Sequence, residues 1–139
     1  MRLTRISAAS VFVLLAACTD TTSPLLRLPT GPWGSVDVTF AAGASGATLT
    51  LICESGAITQ PLVLDANGDF AWAGTARPSG NIIASVDHPA LYSGHATRTS
   101  VTVTRTITDA SGYAPWTHTL AFGEKHEITP CPLVVASVP

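Results

Sequence analysis

From residue 33 onward the chain alternates apolar and polar residues with a period of two. Val36, Val38 and Phe40 alternate with Ser35, Asp37 and Thr39, and Leu49, Leu51 and Cys53 alternate with Thr48 and Thr50. Side chains of an extended strand point to opposite faces in turn, so this pattern predicts strands buried on one face. A Gly-rich turn over 41–46 separates the first two runs. Glu54-Ser55-Gly56 reads as a break, and Pro61 to Asp65 as a further strand. Asn67-Gly68 is a hairpin signal, because both residues tolerate the positive φ that tight turns require. Phe70 to Gly74 is then the return strand, with Phe70 and Trp72 on one face. Ile82–Val86, Tyr92–Thr97, Ser100–Thr108, Trp116–Phe122 and Glu127–Leu133 complete the set of expected strands. No stretch carries a 3.6-residue period. The expected fold is all-β, an antiparallel meander closed into a small barrel or folded as a sandwich.

One hairpin permits a finer reading. The segment Asp109-Ala-Ser-Gly-Tyr-Ala114 is turn-like. Symmetric closure around it sets Val101 opposite Phe122, Val103 opposite Leu120, Arg105 opposite His118 and Ile107 opposite Trp116. Apolar residues then meet apolar partners, which supports the register. Arg105 and His118 are left facing each other on an otherwise apolar face. Such a pair at a barrel mouth could bind a carboxylate or another anion. Two blander readings stand beside it: the face bends to solvent there, or Arg105 pairs with a structural carboxylate.

The start of the chain departs from this pattern. Arg2 and Arg5 precede an apolar run centred on Val11-Phe12-Val13-Leu14-Leu15, and small residues lead to Cys18. A basic segment, an apolar segment and a small-residue cleavage site make a secretory signal peptide. The run is shorter than the roughly 20 residues a bilayer span needs. Leu15-Ala16-Ala17-Cys18 resembles the lipobox of bacterial lipoproteins. The resemblance implies cleavage before Cys18, a thioether-linked lipid on its sulfur, and a location in the bacterial cell envelope; the outer membrane facing the periplasm is one option, and the sequence does not fix which membrane or which face. The chain divides accordingly into a signal peptide over 1–17, a lipid-anchored tether over 18–32, a β domain over 33–133 and a C-terminal tail over 134–139. Thr19 to Pro32 carries three prolines, which suits an extended tether. Leu25, Leu26 and Leu28 do not suit one, and are expected to pack on the domain or the membrane surface.

Composition narrows the partners. With Arg2 and Arg5 removed, 5 of the 7 Lys/Arg remain against 9 Asp/Glu, a formal charge of −4. No basic run remains, so nucleic acid is excluded as a partner. Only 12% of the residues are charged, and the Thr- and Val-rich remainder is that of an exported β domain. With Cys18 lipidated, Cys53 and Cys131 are the only cysteines left, and export favours their pairing as a disulfide. Neither has a second Cys or His at ligand spacing, so no metal site is expected. Asp65-Ala66-Asn67-Gly68-Asp69 opens like a calcium loop, but Phe70 and Ala76 stand where that loop wants Gly and Glu, so a tight turn is expected. His126-Glu127 lacks the following His of a zinc protease, and no Gly-x-Ser-x-Gly occurs.

Larger pieces are similar to a group of small bacterial envelope proteins. These are Gly31-Pro-Trp-Gly34, Gly46 to Gly56, Pro61 to Phe70 and His88 to Gly94, with Val101–Thr108 and Cys131 in the same order. The likeness implies no activity. A Gly-x-Trp opening on a β-meander also resembles lipocalin-like and avidin-like barrels, which bears on the fold and not on any ligand. The expected protein is therefore not an enzyme and needs no cofactor. It is a lipid-anchored module binding a small ligand, with Arg105, His118, Trp116 and Trp72 as contacts. The alternative is a structural or protein-interaction lipoprotein with a filled core. A large enclosed pocket touching Arg105 favours the first, and a filled interior with exposed apolar residues the second.

Overall fold

The computed structural model describes residues 25–79, 85–129 and 131. The signal segment and Cys18 lie outside the described residues, as do most of the expected Ile82–Val86 strand and the end of the expected Glu127–Leu133 strand. Eight strands form one closed antiparallel barrel: β1 (Gly31–Ser35), β2 (Val38–Ala42), β3 (Ala47–Leu51), β4 (Glu54–Ile58), β5 (Asp69–Pro78), β6 (His88–Ala96), β7 (Ser100–Ile107) and β8 (Trp116–Phe122). Each strand pairs with its sequence neighbours, and β8 returns to β1 through Trp33↔Phe122 and Gly34↔Ala121. Closure leaves no unpaired sheet edge to template aggregation, the standing hazard of open sheets. Of barrel and sandwich, the fold is the barrel, and no helix occurs among the described residues.

The period-two pattern builds the interior. Val38, Phe40, Ala42, Leu49, Ile58, Phe70, Trp72, Tyr92, Val101, Val103 and Leu120 all point inward and are buried. An eight-stranded barrel is just wide enough for its own side chains to fill. Trp33, Phe40, Trp72 and Tyr92 do so here. Each large apolar side chain so buried contributes about 2–3 kcal/mol. Two glycines make room for the Tyr92 ring: a Cβ on Gly56 would stand 2.2 Å from its hydroxyl, and one on Gly74 would stand 3.0 Å from its ring.

The two poles differ. The turns β1–β2, β3–β4, β5–β6 and β7–β8 gather at one, termed the mouth. The other is plugged by two segments that the barrel does not contain. Leu28 donates from its amide to the Leu62 carbonyl at 3.0 Å, Leu64 to the Leu26 carbonyl at 3.0 Å, and Arg27 bridges Val63. This short ladder drives Leu28, Leu62 and Leu64 into the core. The indole of Trp72 donates to the Val63 carbonyl at 2.8 Å and that of Trp33 to the Pro29 carbonyl at 3.1 Å, tying the plug to the wall. Pro61–Asp65 is thus a plug segment rather than a barrel strand. Residues 59–68 return the chain to the wall by a turn at Asp65–Asp69. There the Asp65 carboxylate accepts from the amides of Asn67 and Asp69, both at 2.8 Å. Gly68 takes a φ of 88°, and a Cβ there would stand 2.5 Å from the Ala96 carbonyl oxygen, so only glycine fits.

Beyond β8 the chain turns at Gly123 and runs back outside the barrel. The Gly123 amide donates to Pro32 at 2.8 Å, and the Thr39 hydroxyl to the His126 carbonyl at 3.1 Å. The strap lies directly on Gly34, where a Cβ would meet the Glu124 carbonyl oxygen at 2.7 Å. It ends at the mouth in the Cys53–Cys131 disulfide. Of the expected final strand, residues 127–129 are strap and not strand.

Candidate functional site

Chemistry-bearing side chains concentrate at the mouth. Arg105 is an inward residue of β7 and is the one buried charged side chain among the described residues. A guanidinium taken from water needs a counter-charge and partners for its fork. Glu54, the first residue of β4, supplies both. Arg105 Nε donates to Glu54 Oε1 at 2.7 Å and a terminal nitrogen donates to Oε2, a bidentate pair. The other terminal nitrogen donates to the Ala114 carbonyl at 3.2 Å, holding the β7–β8 loop. Trp116 Nε1 donates to Glu54 Oε1 at 3.1 Å, and the guanidinium carbon lies 5.4 Å from the Trp116 ring centroid. Side-chain exposure is 4% for Arg105 and 11% for Glu54. Of the readings open for Arg105, the structure holds the structural carboxylate.

The register of this hairpin differs from the expected one by two residues. Arg105 faces Trp116, Val103 faces His118 and Val101 faces Leu120. A slip of two keeps every side chain on its face, so Arg105, Trp116 and His118 stay on the same face as expected while their partners change. The loop between the last paired residues runs over 106–115 rather than the expected 108–115. Ile107 pairs with Ala90 of β6 and not with β8, and Arg105 holds the Ala114 carbonyl. His118 stands half-buried next to Trp116, ring centroids 5.2 Å apart. Trp72 lies away from them in the filled core, its ring stacked on Phe70 at 3.8 Å. The structure therefore gathers Arg105, Trp116 and His118 at the mouth and leaves Trp72 out.

An open cleft of about 340 Å³ enters the mouth beside this cluster. Asp37, Leu51, Ile52, Cys53, Glu54 and His118 line it. Ser79 donates from its amide to the Cys53 carbonyl at 2.7 Å and fixes the β3–β4 turn that forms one wall. Below the cluster, Tyr92 donates to the Thr75 carbonyl at 2.8 Å. Burial, and then the nearby Glu54 charge, push its phenol well above the ordinary tyrosine range. A larger open depression of about 430 Å³ lies on the outer wall, lined by Ala41, Gly43, Ala47, Ala57 and their neighbours. Its polar side chains are the hydroxyls of Ser45, Thr48 and Thr59, and none of its side chains is ionisable.

Glu54 and Asp37 escaped the sequence reading. Glu54 was hidden because Glu-Ser-Gly reads as a turn. Its signal was indirect: a lone inward Arg requires a carboxylate at some other inward position. Among the described residues no three His, Cys, Asp or Glu side chains gather to hold a metal ion. Comparisons of the chain with protein-family models, with curated proteins and with solved structures return no match.

Proposed function

We propose that the protein is a lipid-anchored binding module of the bacterial cell envelope that engages a partner protein through the mouth of its barrel. One observation carries this reading. Each of the four mouth loops presents a large exposed apolar residue: Val36, Ile52, Val86 and Tyr113. Val36, at 78% exposure, stands at the tip of the two-residue β1–β2 turn. Single exposed apolar residues are ordinary, but their gathering around one opening marks an interaction surface. The filled interior supports the same reading, since the volume that a ligand barrel leaves open is occupied by Trp33, Phe40, Trp72 and Tyr92. The lipobox at Leu15–Cys18 supplies the anchor.

A small ligand in the mouth cleft is the second reading. Its support is the cleft volume of about 340 Å³, which lies within the range of small-molecule sites, with Glu54 and His118 on its wall. A photo-cross-linking residue placed at Val36 or Ile52 in producing cells separates the two. The expected outcome is a discrete protein adduct from both mouth positions and none from Thr119 on the outer wall. Adducts from Thr119 alone, or none from the mouth, would leave the partner-protein reading without its surface.

A further inference from the structure

We propose that the mouth cleft is a receptor for a basic side chain, a lysine or arginine of the partner protein, with Leu51 and Ile52 against its aliphatic stem and Asp37 and Glu54 at its charged head. This deepens the reading given above and rests on it. Three observations lead to it.

The first is the charge of the mouth. Every mouth loop or its strand junction carries a carboxylate beside its apolar residue: Asp37 next to Val36, Glu54 near Ile52, Asp87 next to Val86, and Asp109 in the loop of Tyr113. In these loops and the strands below them the four carboxylates stand against two arginines, Arg77 and Arg105, and the strap that ends at the mouth adds Glu124 and Glu127 against Lys125. Arg77 forms a bidentate pair with Asp87, and His88 meets Asp109 at 3.1 Å. Asp37 has no hydrogen-bond or ion-pair partner among the described residues, and it lines the cleft. Of the two loop carboxylates without an arginine partner, Asp109 meets His88 and Asp37 stands at the cleft, so one surplus negative charge lies at the cleft itself.

The second is the state of Glu54. Its Oε1 accepts two donors and its Oε2 one. A carboxylate offers about four acceptor positions, so one remains for a donor arriving through the cleft. Arg105 cancels its charge but leaves that position open. An anionic ligand is disfavoured, because Arg105 already faces Glu54 and does not line the cleft.

The third is shape. Lys and Arg side chains lay an apolar stem along apolar surface while the head stays with polar groups. Leu51 and Ile52 beside Asp37 and Glu54 match that division. Opposite charge across an interface sets partner choice and encounter rate, so the cleft acts as the specificity element and the ring of apolar residues as the contact around it.

The test uses the full chain with its disulfide intact, solubilised in detergent. Two capped peptides, Gly-Leu-Lys-Leu-Gly and the same sequence with norleucine for lysine, are titrated while backbone amide resonances are followed. The lysine peptide is expected to bind the more tightly and to move the resonances of Asp37, Ile52, Glu54 and His118. Its advantage is expected to fall by about threefold in Asp37→Asn, the size of a rim charge pair, and to shrink in 0.5 M salt, about 4 Å of screening length. Equal binding of the norleucine peptide at the mouth would overturn the charge preference and leave mouth docking standing. Absence of mouth shifts with either peptide would overturn the cleft as a receptor, while the cross-linking experiment judges partner binding independently.

Discussion

The mouth is organised by one residue that a barrel core has reason to exclude. Arg105 sits among Val101, Val103 and Ile107 on the buried face of β7. Its fork is filled by Glu54 and the Ala114 carbonyl. Breaking a buried pair by removing one member costs about 3–5 kcal/mol, because the other charge is stranded, whereas replacing both is far milder. Glu54→Gln is therefore expected to destabilise the protein by about 3 kcal/mol. Glu54→Gln combined with Arg105→Met is expected to recover most of that loss. Urea unfolding of the two single variants and the double variant measures it as a double-mutant cycle. Additive losses would mean that the pair acts as two solvated charges. The presence of Arg105 on this face was legible in the sequence. The identity of its partner was not, since the two residues lie 51 positions apart and only the closed barrel brings them together.

At the scale of elements, alternation revealed most of the wall. β2, β3, β5, β6, β7 and β8 fall where apolar and polar residues take turns, because a barrel wall is apolar inside and wet outside. The misses have physical causes. β4 carries Glu54, Gly56 and Ala57, a sequence poor in strand formers. Its inward positions hold an ion-pair partner and a glycine that yields space to Tyr92. Pro61–Leu64 has a strand's composition but spends it on plugging the pole beside Leu28. Residues 127–129, expected to open a final strand, lie instead in the strap, which is held by Gly34, Thr39 and the disulfide. The bridge spans 78 residues and encloses β4 to β8. Closing a loop of that length stabilises by about 4–5 kcal/mol in the chain-entropy model. Replacing Cys53 and Cys131 together by Ser is expected to lower stability by about that amount. Amide exchange should accelerate first at Glu124 to His126 and only later in β6 and β7. Uniform acceleration across the barrel would show that strap and wall open as one unit.

Taken whole, the molecule is polar in the sense of direction. The described chain begins at Leu25, next to the plug and at the pole opposite the mouth. Leu25 is seven positions after Cys18, and seven residues reach at most about 25 Å. In the lipid-anchored reading that short span brings the plugged pole to the bilayer. The exposed Leu26 and Val63, which flank each other across the Arg27 bridge, then face the headgroups. In that reading several acyl chains would hold the anchor far more firmly than one, keeping the plugged pole within the tether's reach of the bilayer. In the same reading the mouth would point away from the membrane, with its apolar ring and its cleft presented to whatever lies across from it. A barrel tethered at its mouth would instead press both against anionic lipid, where its carboxylates are repelled. This makes a prediction for the lipidated protein reconstituted in vesicles containing headgroup-nitroxide lipid. A small fluorophore at position 63 is expected to be strongly quenched, and one at position 36 to be nearly unaffected. Equal quenching at both positions would place the barrel on its side, with the mouth at the membrane surface and sterically closed to a protein partner of any size.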